Sequence, residues 1–342
     1  MTTYLIIDTL NNFMRCKHVV HGDTAEDKAG MAVHINFMSL RKMWNKFNAD
    51  HTVFCLEGRS WRKEVYPKYK ANRVAEEETD PDAIELNDAM WQAYEDFVEL
   101  VNTSNATVLK HSMAEADDMI ARWIATHPDD KHIIISSDSD FVQLVSDNVY
   151  LYNGVTNALI KPEGVFDDRD RALDFSVKND GKIRVGKTVL GKNDEFPERP
   201  DWIDYALFTK IVRGDKGDNI FSACEPGTRQ KGSKKKVGIQ ECFENRQEQG
   251  YEWFNFMNHR WVDHESKQHI VRDLFEFNEM LIDLNKMPTE IKEAFDDYIE
   301  SYEKPPAKQL GFHFLRFAEM YQLEDIKKDP NKFVEMINAT PG

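Results

Sequence analysis

Short apolar runs alternate with stretches of helical periodicity along the first 165 residues, and this alternation constrains the fold more than any other feature. Residues 4–7, 52–56 and 132–136 are too short and too rich in β-branched or aromatic side chains for buried helices. Residues 149–152 predict a fourth strand. Strands separated by helical segments are typical of a mostly parallel, twisted sheet with helices on its faces. We therefore predict an α/β domain.

The positions of the predicted helices indicate two domains. Asp80 followed by Pro81 predicts a capped helix, and apolar residues then recur at three- and four-residue steps as far as Val101. A second helical pattern begins at Ala116, and from Trp202 onward the pattern is mainly helical. We predict an α/β domain over residues 1–200, which includes a charged excursion at about 165–200, and a mainly α-helical domain over residues 201–342.

The composition excludes several classes of protein. With 60 acidic against 44 basic residues, the formal charge of −16 argues against a uniformly positive surface. No apolar run approaches the ~18 residues that span a bilayer, and the N-terminus lacks a secretory signal pattern, so we expect a cytoplasmic protein with no membrane partner. The four cysteines lack metal-binding spacing, which favours a reducing compartment.

Acidic residues follow three of the predicted strands. Asp8 follows the first run, Glu57 the second, and Asp138 and Asp140 the third. Parallel strands present their carboxyl ends along one edge of a sheet, where open α/β sheets bind their ligands, so we expect these carboxylates to share one crevice. A single Asp after a strand is commonly only a helix cap, and the argument therefore depends on the joint pattern.

Two further groups of acids add to this pattern. Glu115, Asp117 and Asp118 begin a helix, in which positions 115 and 118 share a face and position 117 points about 100° away. Asp215 and Asp218 are again three residues apart. Converging carboxylates repel one another unless cations neutralise them, and hard oxygen ligands favour Mg²⁺ or Mn²⁺. Two such ions are suited to phosphodiester hydrolysis, which we predict.

Two basic segments stand out from the acidic background. Residues 59–73 contain six basic side chains and one acid, and residues 229–236 contain five basic side chains and no acid. Such runs are often solvated loops, but they are also where an acidic protein can contact phosphates.

Five segments resemble the structure-specific 5′-nuclease family, which includes flap endonucleases and the 5′-nuclease domains of bacterial DNA polymerases. These segments are residues 5–8, 57–73, 115–118, 136–141 and 214–219. Residues 134–141 and 281–283 also resemble the ribonuclease H / 5′-3′ exonuclease branch of T-even phages. The resemblance implies a PIN-like 5′-nuclease core and a helical arch at about residues 60–105. It also implies removal of RNA primers and adjacent DNA during phage-type lagging-strand replication, in the host cytoplasm.

The same resemblance implies two Mg²⁺ (or Mn²⁺) ions and their ligands. The first ion would be held by Asp8, Glu57, Asp118 and Asp138, with Glu115 and Asp117 nearby, and the second by Asp140, Asp215 and Asp218. The catalytic residues would be Asp8, Glu57, Asp118, Asp138 and Asp140, together with Lys70 and Arg73, which match positions that contact the scissile phosphate.

The resemblance further implies contacts with DNA and with RNA–DNA hybrids that carry a 5′ end or flap. The residues expected to make them are Arg62, Lys63, Lys70 and Arg73 in the arch and Lys234, Lys235 and Lys236 on the duplex. A single-stranded-DNA-binding protein or a sliding clamp is the expected protein partner, and we expect a monomer. Two alternatives stay open. One is a catalytically silent branched-DNA binding module, whose only sequence support is Glu57 in place of the Asp usual in the family. The other is a PIN-type endoribonuclease on the same kind of α/β sheet.

Overall fold

A computed structural model describes residues 1–73, 80–191, 197, 199–233 and 236–340. The strands are β1 (Thr3–Asp8), β2 (His51–Cys55), β3 (Thr107–Leu109), β4 (Lys131–Ile135), β5 (Val149–Asn153), β6 (Ala158–Lys161), β7 (Gly164–Phe166), β8 (Ala172–Val177), β9 (Ile183–Val189), β10 (Arg260–Val262) and β11 (Gln268–Ile270). The helices are α1 (Thr9–Met14), α2 (Ala25–Phe47), α3 (Arg62–Val65), α4 (Pro81–Asn102), α5 (Ala116–Thr126), α6 (Trp202–Arg213), α7 (Ile239–Glu244), α8 (Tyr251–Met257), α9 (Val271–Ile282), α10 (Thr289–Glu300), α11 (Leu310–Met320), α12 (Glu324–Lys327) and α13 (Asn331–Asn338).

The chain forms two compact units, each built from separated stretches. The first unit comprises Met1–Ser60, Ala75–Lys161 and Glu293–Gly342, and the second comprises Trp61–Val74 and Pro162–Lys292. This division differs from the predicted boundary at residue 200. One reason is that the C-terminal helices belong to the first unit, where Arg122 of α5 donates two hydrogen bonds to the carboxylate of Asp296 in α10 at 2.6 and 2.8 Å.

The first unit contains the predicted parallel sheet. Its strand order is β3-β2-β1-β4-β5-β6, and β3, β2, β1, β4 and β5 pair in parallel, whereas β6 pairs antiparallel with β5. All four predicted strands are confirmed as β1, β2, β4 and β5. The sequence missed β3, which has three residues and so carries little periodicity. The mostly parallel α/β core is therefore confirmed.

Helices α2 and α4 supply much of the core beside this sheet. Phe37 of α2 contacts Phe97 of α4 and Phe314 of α11, with each pair of ring centroids 5.5 Å apart. The predicted cap of α4 is confirmed, because the Asp80 side chain accepts a hydrogen bond from the backbone N–H of Asp82 at 3.2 Å. Residues 90–101 of α4 contribute buried side chains to this core, although the predicted arch of 60–105 includes them.

The second unit combines antiparallel strands with helices. Strands β7, β8 and β9 pair antiparallel. The charged excursion predicted at about residues 165–200 contains β8 and β9, which pair with each other. The region from Trp202 onward, predicted as mainly helical, also contains the β10–β11 hairpin. Within the described ranges, no helix is both long and apolar enough to cross a membrane.

Candidate functional site

Ser136 links two of the predicted acids at the carboxyl edge of the sheet. The register pairs Ile7 of β1 with Ile135 of β4, so the next residues, Asp8 and Ser136, are neighbours. The buried Ser136 hydroxyl donates to Asp8 Oδ2 at 2.7 Å and accepts from the backbone N–H of Asp138 at 3.0 Å. The Asp138 carboxylate in turn accepts from the backbone N–H of Asp140 at 2.9 Å. The first and third strand ends are therefore joined as predicted.

The environment of Asp8 disfavours a negative charge. The pKa of Asp8 is raised to about 7, chiefly by burial and also by the nearby charges of Glu57 and Asp138, while hydrogen bonds from Ser136 and the Asn11 backbone oppose the rise. Only 5% of Asp8 is exposed. A group that is protonated near neutral pH when alone becomes a good ligand once a cation compensates its charge.

Glu57 reaches the same region from the second strand. The backbone N–H of Ala116, at the start of α5, donates to Glu57 Oε2 at 3.3 Å. The chain then turns at Gly58, whose backbone N–H donates to the Ala114 carbonyl at 2.9 Å. A side chain at position 58 would place its Cβ 2.1 Å from the His111 carbonyl oxygen, so only glycine fits here.

Glu115, Asp117 and Asp118 converge at the start of α5. One carboxylate oxygen from each lies within 4.8 Å of the others, and both Glu115 and Asp118 are buried. Helical spacing predicted that Asp117 would point away from the face shared by Glu115 and Asp118. That prediction is wrong, because Glu115 lies before the helix and has extended backbone angles (φ −80°, ψ 166°). The backbone N–H of Glu115 donates to Asp118 at 3.0 Å, and the Ser60 hydroxyl donates to Glu115 at 2.7 Å.

These donor groups fit a hard divalent cation. The cluster at residues 115–118 offers only carboxylate oxygens, two of its three members are buried, and the charges of Glu57 and Asp138 already raise the pKa of Asp8. Oxygen donors of this kind suit Mg²⁺ or Mn²⁺ better than zinc.

Asp215 and Asp218, the two predicted metal ligands of the second unit, have a different environment from the acids of the first unit. Asp215 accepts from the Lys210 ammonium at 2.9 Å and from the backbone N–H of Gly217 at 2.7 Å. Both charged side chains are about nine-tenths buried. Burial tends to raise the pKa of Asp215, but the charge and hydrogen bond of Lys210 outweigh it and the pKa is lowered. Asp215 is therefore an anchored carboxylate.

Asp218 holds the basic segment of residues 61–73 onto the loop at 214–219. Its carboxylate pairs with Arg73 Nη2 at 2.5 Å and accepts from the Tyr69 hydroxyl at 3.1 Å. The backbone N–H of Lys70 donates to the Asp218 carbonyl at 2.9 Å. Lys70 adopts a left-handed backbone (φ 54°), and its ammonium lies 4.9 Å from the centre of the Tyr69 ring.

Arg62, one of the predicted nucleic-acid contacts, is buried. Arg62 is only 1% exposed, its Nε donates to the Leu281 carbonyl at 2.8 Å, and its guanidinium lies over the Trp61 ring. It therefore stabilises the second unit from inside. Lys63, its neighbour, is exposed, and Arg73 keeps 57% of its side chain exposed while paired.

The second basic cluster is described only in part. Lys234 and Lys235 lie outside the described residues. The side chain of Lys236 is 75% exposed and approaches Glu225 at 3.5 Å. Lys236 and Arg229 line a cavity of about 670 Å³ in the second unit.

Sequence reasoning missed Ser136, Ser60 and Lys210. Ser136 could have been found, because it is the last residue of a predicted strand and precedes the two acids. Ser60 and Lys210 gave no local signal, since their partners Glu115 and Asp215 come from elsewhere in the chain or from beyond the helix end.

Comparison with known proteins shows which families and structures this chain is similar to. Residues 3–170 match the family model described as 5′-3′ exonuclease, N-terminal resolvase-like domain. The flap endonuclease Xni of Aeromonas hydrophila is 33% identical over 156 residues, which are 43% of this chain and 54% of that protein. The Xni of Shewanella loihica is 30% identical over 51% of this chain and 62% of that protein. The chain thus spans little more than half the length of these relatives.

A solved structure supports the likeness of the fold. The flap endonuclease of bacteriophage T5, in a pseudo-enzyme–product complex with DNA and metal ions, matches with a TM-score of 0.56 and 16% identity. The match covers 94% of this chain and 99% of that one.

Proposed function

We propose that this chain, whose residues 3–170 match the family model of 5′-3′ exonuclease N-terminal resolvase-like domains, is a metal-dependent 5′ to 3′ exonuclease and flap endonuclease with ribonuclease H activity. Its role would be to remove RNA primers and adjacent DNA in phage-type lagging-strand replication. The observation that carries this proposal is the bonding of Asp8 to Ser136 and of Ser136 to Asp138, beside acids whose charges raise the pKa of Asp8.

The proposed cofactors are two Mg²⁺ or Mn²⁺ ions. The first would be held by Asp8, Glu57, Asp118 and Asp138, with Glu115 and Asp117 nearby, and the second by Asp140, with Asp215 and Asp218 holding or orienting it. Such ions lower the pKa of bound water and stabilise charge on the attacking and leaving oxygens of a phosphodiester. The existing pairs of Asp215 with Lys210 and of Asp218 with Arg73 favour an orienting role for these two acids.

The protein's own residues would hold the reacting groups in place. Ser136 fixes the Asp8 carboxylate and the backbone of Asp138, so the two ligands keep their spacing. Lys70 and Arg73 would stabilise the extra negative charge that develops on the phosphate. The contacts of both residues with Asp218 restrict where their side chains can reach.

The proposed substrates are DNA and RNA–DNA hybrids with a 5′ end or flap. Products would carry 5′-phosphates and 3′-hydroxyls. Lys63, Lys70 and Arg73 would contact the single strand, and Lys234, Lys235 and Lys236 the duplex backbone. A monomer in the host cytoplasm, working with a single-stranded-DNA-binding protein or a sliding clamp, completes the proposal.

The test is a cleavage assay with a 5′-labelled flap and a 5′-labelled RNA–DNA hybrid, in Mg²⁺, in Mn²⁺ and with chelator. We expect metal-dependent products released from the 5′ end. Binding without cleavage in both metals would instead favour a silent branched-DNA binding module. Cleavage inside single-stranded RNA with no need of a 5′ end would favour a PIN-type endoribonuclease.

A further inference from the structure

A groove in the first unit lies apart from the acidic site. It is bounded by α2, by the first half of α4 and by the turn that joins α11 to α12, and its volume is about 1120 Å³. The turn lies close against α2 at Gly30, where a Cβ would come within 2.9 Å of the Tyr321 carbonyl oxygen. The Tyr321 hydroxyl donates to Asp96 of α4 at 2.5 Å, which ties the turn to the opposite wall.

The groove exposes apolar side chains on each of its three walls. Met31 of α2 is 40% exposed, Ile84 of α4 is 41% exposed and Met320 at the end of α11 is 56% exposed. Leu323 forms part of the buried base between them. Flexible methionines around an apolar base are typical of surfaces that receive a helix from another protein.

The charge around these apolar groups is strongly negative. Among the described residues, the acids lining the groove are Glu26, Asp27, Glu85, Asp88, Asp96, Glu324 and Asp325, and the one basic side chain is His34. Lys327 and Lys328 pair with Glu324 and Asp325 at one end. Within the part of the chain that the structure describes, Glu26, Glu85 and Asp88 form no ion pair.

We propose that this groove binds a basic amphipathic helix of a partner protein. Apolar side chains at positions i, i+3 or i+4 and i+7 of that helix would contact Met31, Ile84 and Met320, and its flanking Lys or Arg residues would face Glu85 and Asp88. A nucleic-acid strand carries the same sign of charge as the groove and is disfavoured there. The inference does not depend on the proposed nuclease activity, because none of the groove residues is a proposed metal ligand or nucleic-acid contact.

The probe is a fluorescein-labelled model peptide of Leu and Lys with the leucines at helical spacing, and its binding to the full chain is followed by fluorescence anisotropy in the presence of EDTA. One control peptide has Glu in place of Lys, and another has the same composition with the leucines out of helical spacing. We expect only the first to bind, with an affinity that falls as salt concentration rises.

Variants of the protein locate the binding. The double variant Glu85→Gln, Asp88→Asn should weaken binding about fivefold, and Met320→Ser about tenfold. The matched control is Asp129→Asn, Asp147→Asn, which removes two exposed acids of the same unit outside the groove and should leave binding unchanged. A thermal melt of each variant checks that the protein is folded.

Three results would overturn the proposal. The first is equal binding of the Lys and Glu peptides to the unchanged protein. This test does not depend on whether any variant folds. The second is a chain dimer that Met320→Ser converts to monomer in sedimentation, which would make a second copy the occupant. The third is weakened binding of a single-stranded oligonucleotide by the groove variants, which would assign the surface to nucleic acid.

Discussion

Asp8 in the first unit and Asp215 in the second unit have opposite electrostatic surroundings. Asp8 lies near Glu57 and Asp138, and burial together with these like charges raises its pKa to about 7. Asp215 is also buried, but Lys210 lowers its pKa. The first arrangement brings like charges together, whereas in the second the protein supplies an opposite charge. The comparison shows that acids of similar motifs can be held beside other acids in one unit and paired with a lysine in the other.

The largest expected effect is on activity. Asp138→Ala should lower the single-turnover cleavage rate on the order of a thousandfold, about 4 kcal/mol, because it removes a carboxylate from the acidic site. Binding of the flap substrate in chelator should stay near normal, as measured by anisotropy. The matched control, Asp147→Asn on an exposed turn, should cleave normally. Normal cleavage by Asp138→Ala would contradict the assignment of the site.

The second expected effect is on stability and applies to the second unit. Asp215→Ala should lower the free energy of unfolding by about 3–5 kcal/mol, because it leaves the Lys210 ammonium buried without its partner. Urea unfolding measures this change. The double variant Asp215→Ala, Lys210→Met should recover much of the loss. If Asp215→Ala and the double variant had the same free energy of unfolding, the ion pair of Lys210 with Asp215 would not be what anchors the loop.

The third expected effect separates strand contact from metal binding. Lys70→Ala should slow cleavage about a hundredfold, the magnitude expected for one group that stabilises phosphate charge. Linear 5′-ended strands should be affected more than circular ones if the strand passes through the proposed arch. Lys68→Ala, an exposed neighbour, is the control. Equal cleavage of circular and linear DNA by the unchanged protein would contradict threading.

A smaller effect tests whether Ser136 positions the acids. Ser136→Ala should weaken Mn²⁺ binding about tenfold, because Asp8 loses a hydrogen bond that favours its charged form. Isothermal titration with Mn²⁺ measures the affinity directly. Ser146→Ala, on an exposed turn, should bind Mn²⁺ normally. An unchanged affinity in Ser136→Ala would mean that the link between Asp8 and Asp138 is only structural.

The smallest expected effect concerns the Lys304 ammonium of the first unit, which donates to backbone carbonyls. Lys304 donates to the Val101 and Ala106 carbonyls at 2.8 Å each, and burial lowers its pKa to about 8 from 10.5. Between these two values the unfolded chain binds a proton that the folded chain does not, so this group's contribution to stability rises with pH.

Lys304→Met should therefore flatten the pH dependence of urea unfolding between about pH 8 and about pH 10, relative to the unchanged protein. Lys308→Met, which changes an exposed lysine close in sequence, should not alter the slope. The same slope in the unchanged protein and in Lys304→Met would contradict the lowered pKa.

Local sequence was sufficient for much of the first unit. Four strands, the capped start of α4 and the acids at three strand ends were all predictable, since period, cap residues and β-branched runs act over a few neighbours. Ser136 adjoins these acids and could have been included. The convergence of Asp117 with Glu115 and Asp118 could not be predicted from helical spacing, because it depends on Glu115 lying just outside the helix.

Longer-range features needed the tertiary structure. Arg62 sits in a basic run, yet the Leu281 carbonyl and the Trp61 ring bury it, and these partners depend on how distant segments pack. The C-terminal helices join the first unit through contacts such as Arg122 with Asp296, which no local pattern encodes.

The sequence by itself determined the parallel sheet and the acids that follow its strands, because alternation of apolar residues and position after a strand are local properties. Only the tertiary structure decided which carboxylates repel one another and which meet a lysine or arginine. The reason is physical: the charge state of a buried carboxyl depends on desolvation and on ions a few ångströms away, and residues far apart in the chain supply both.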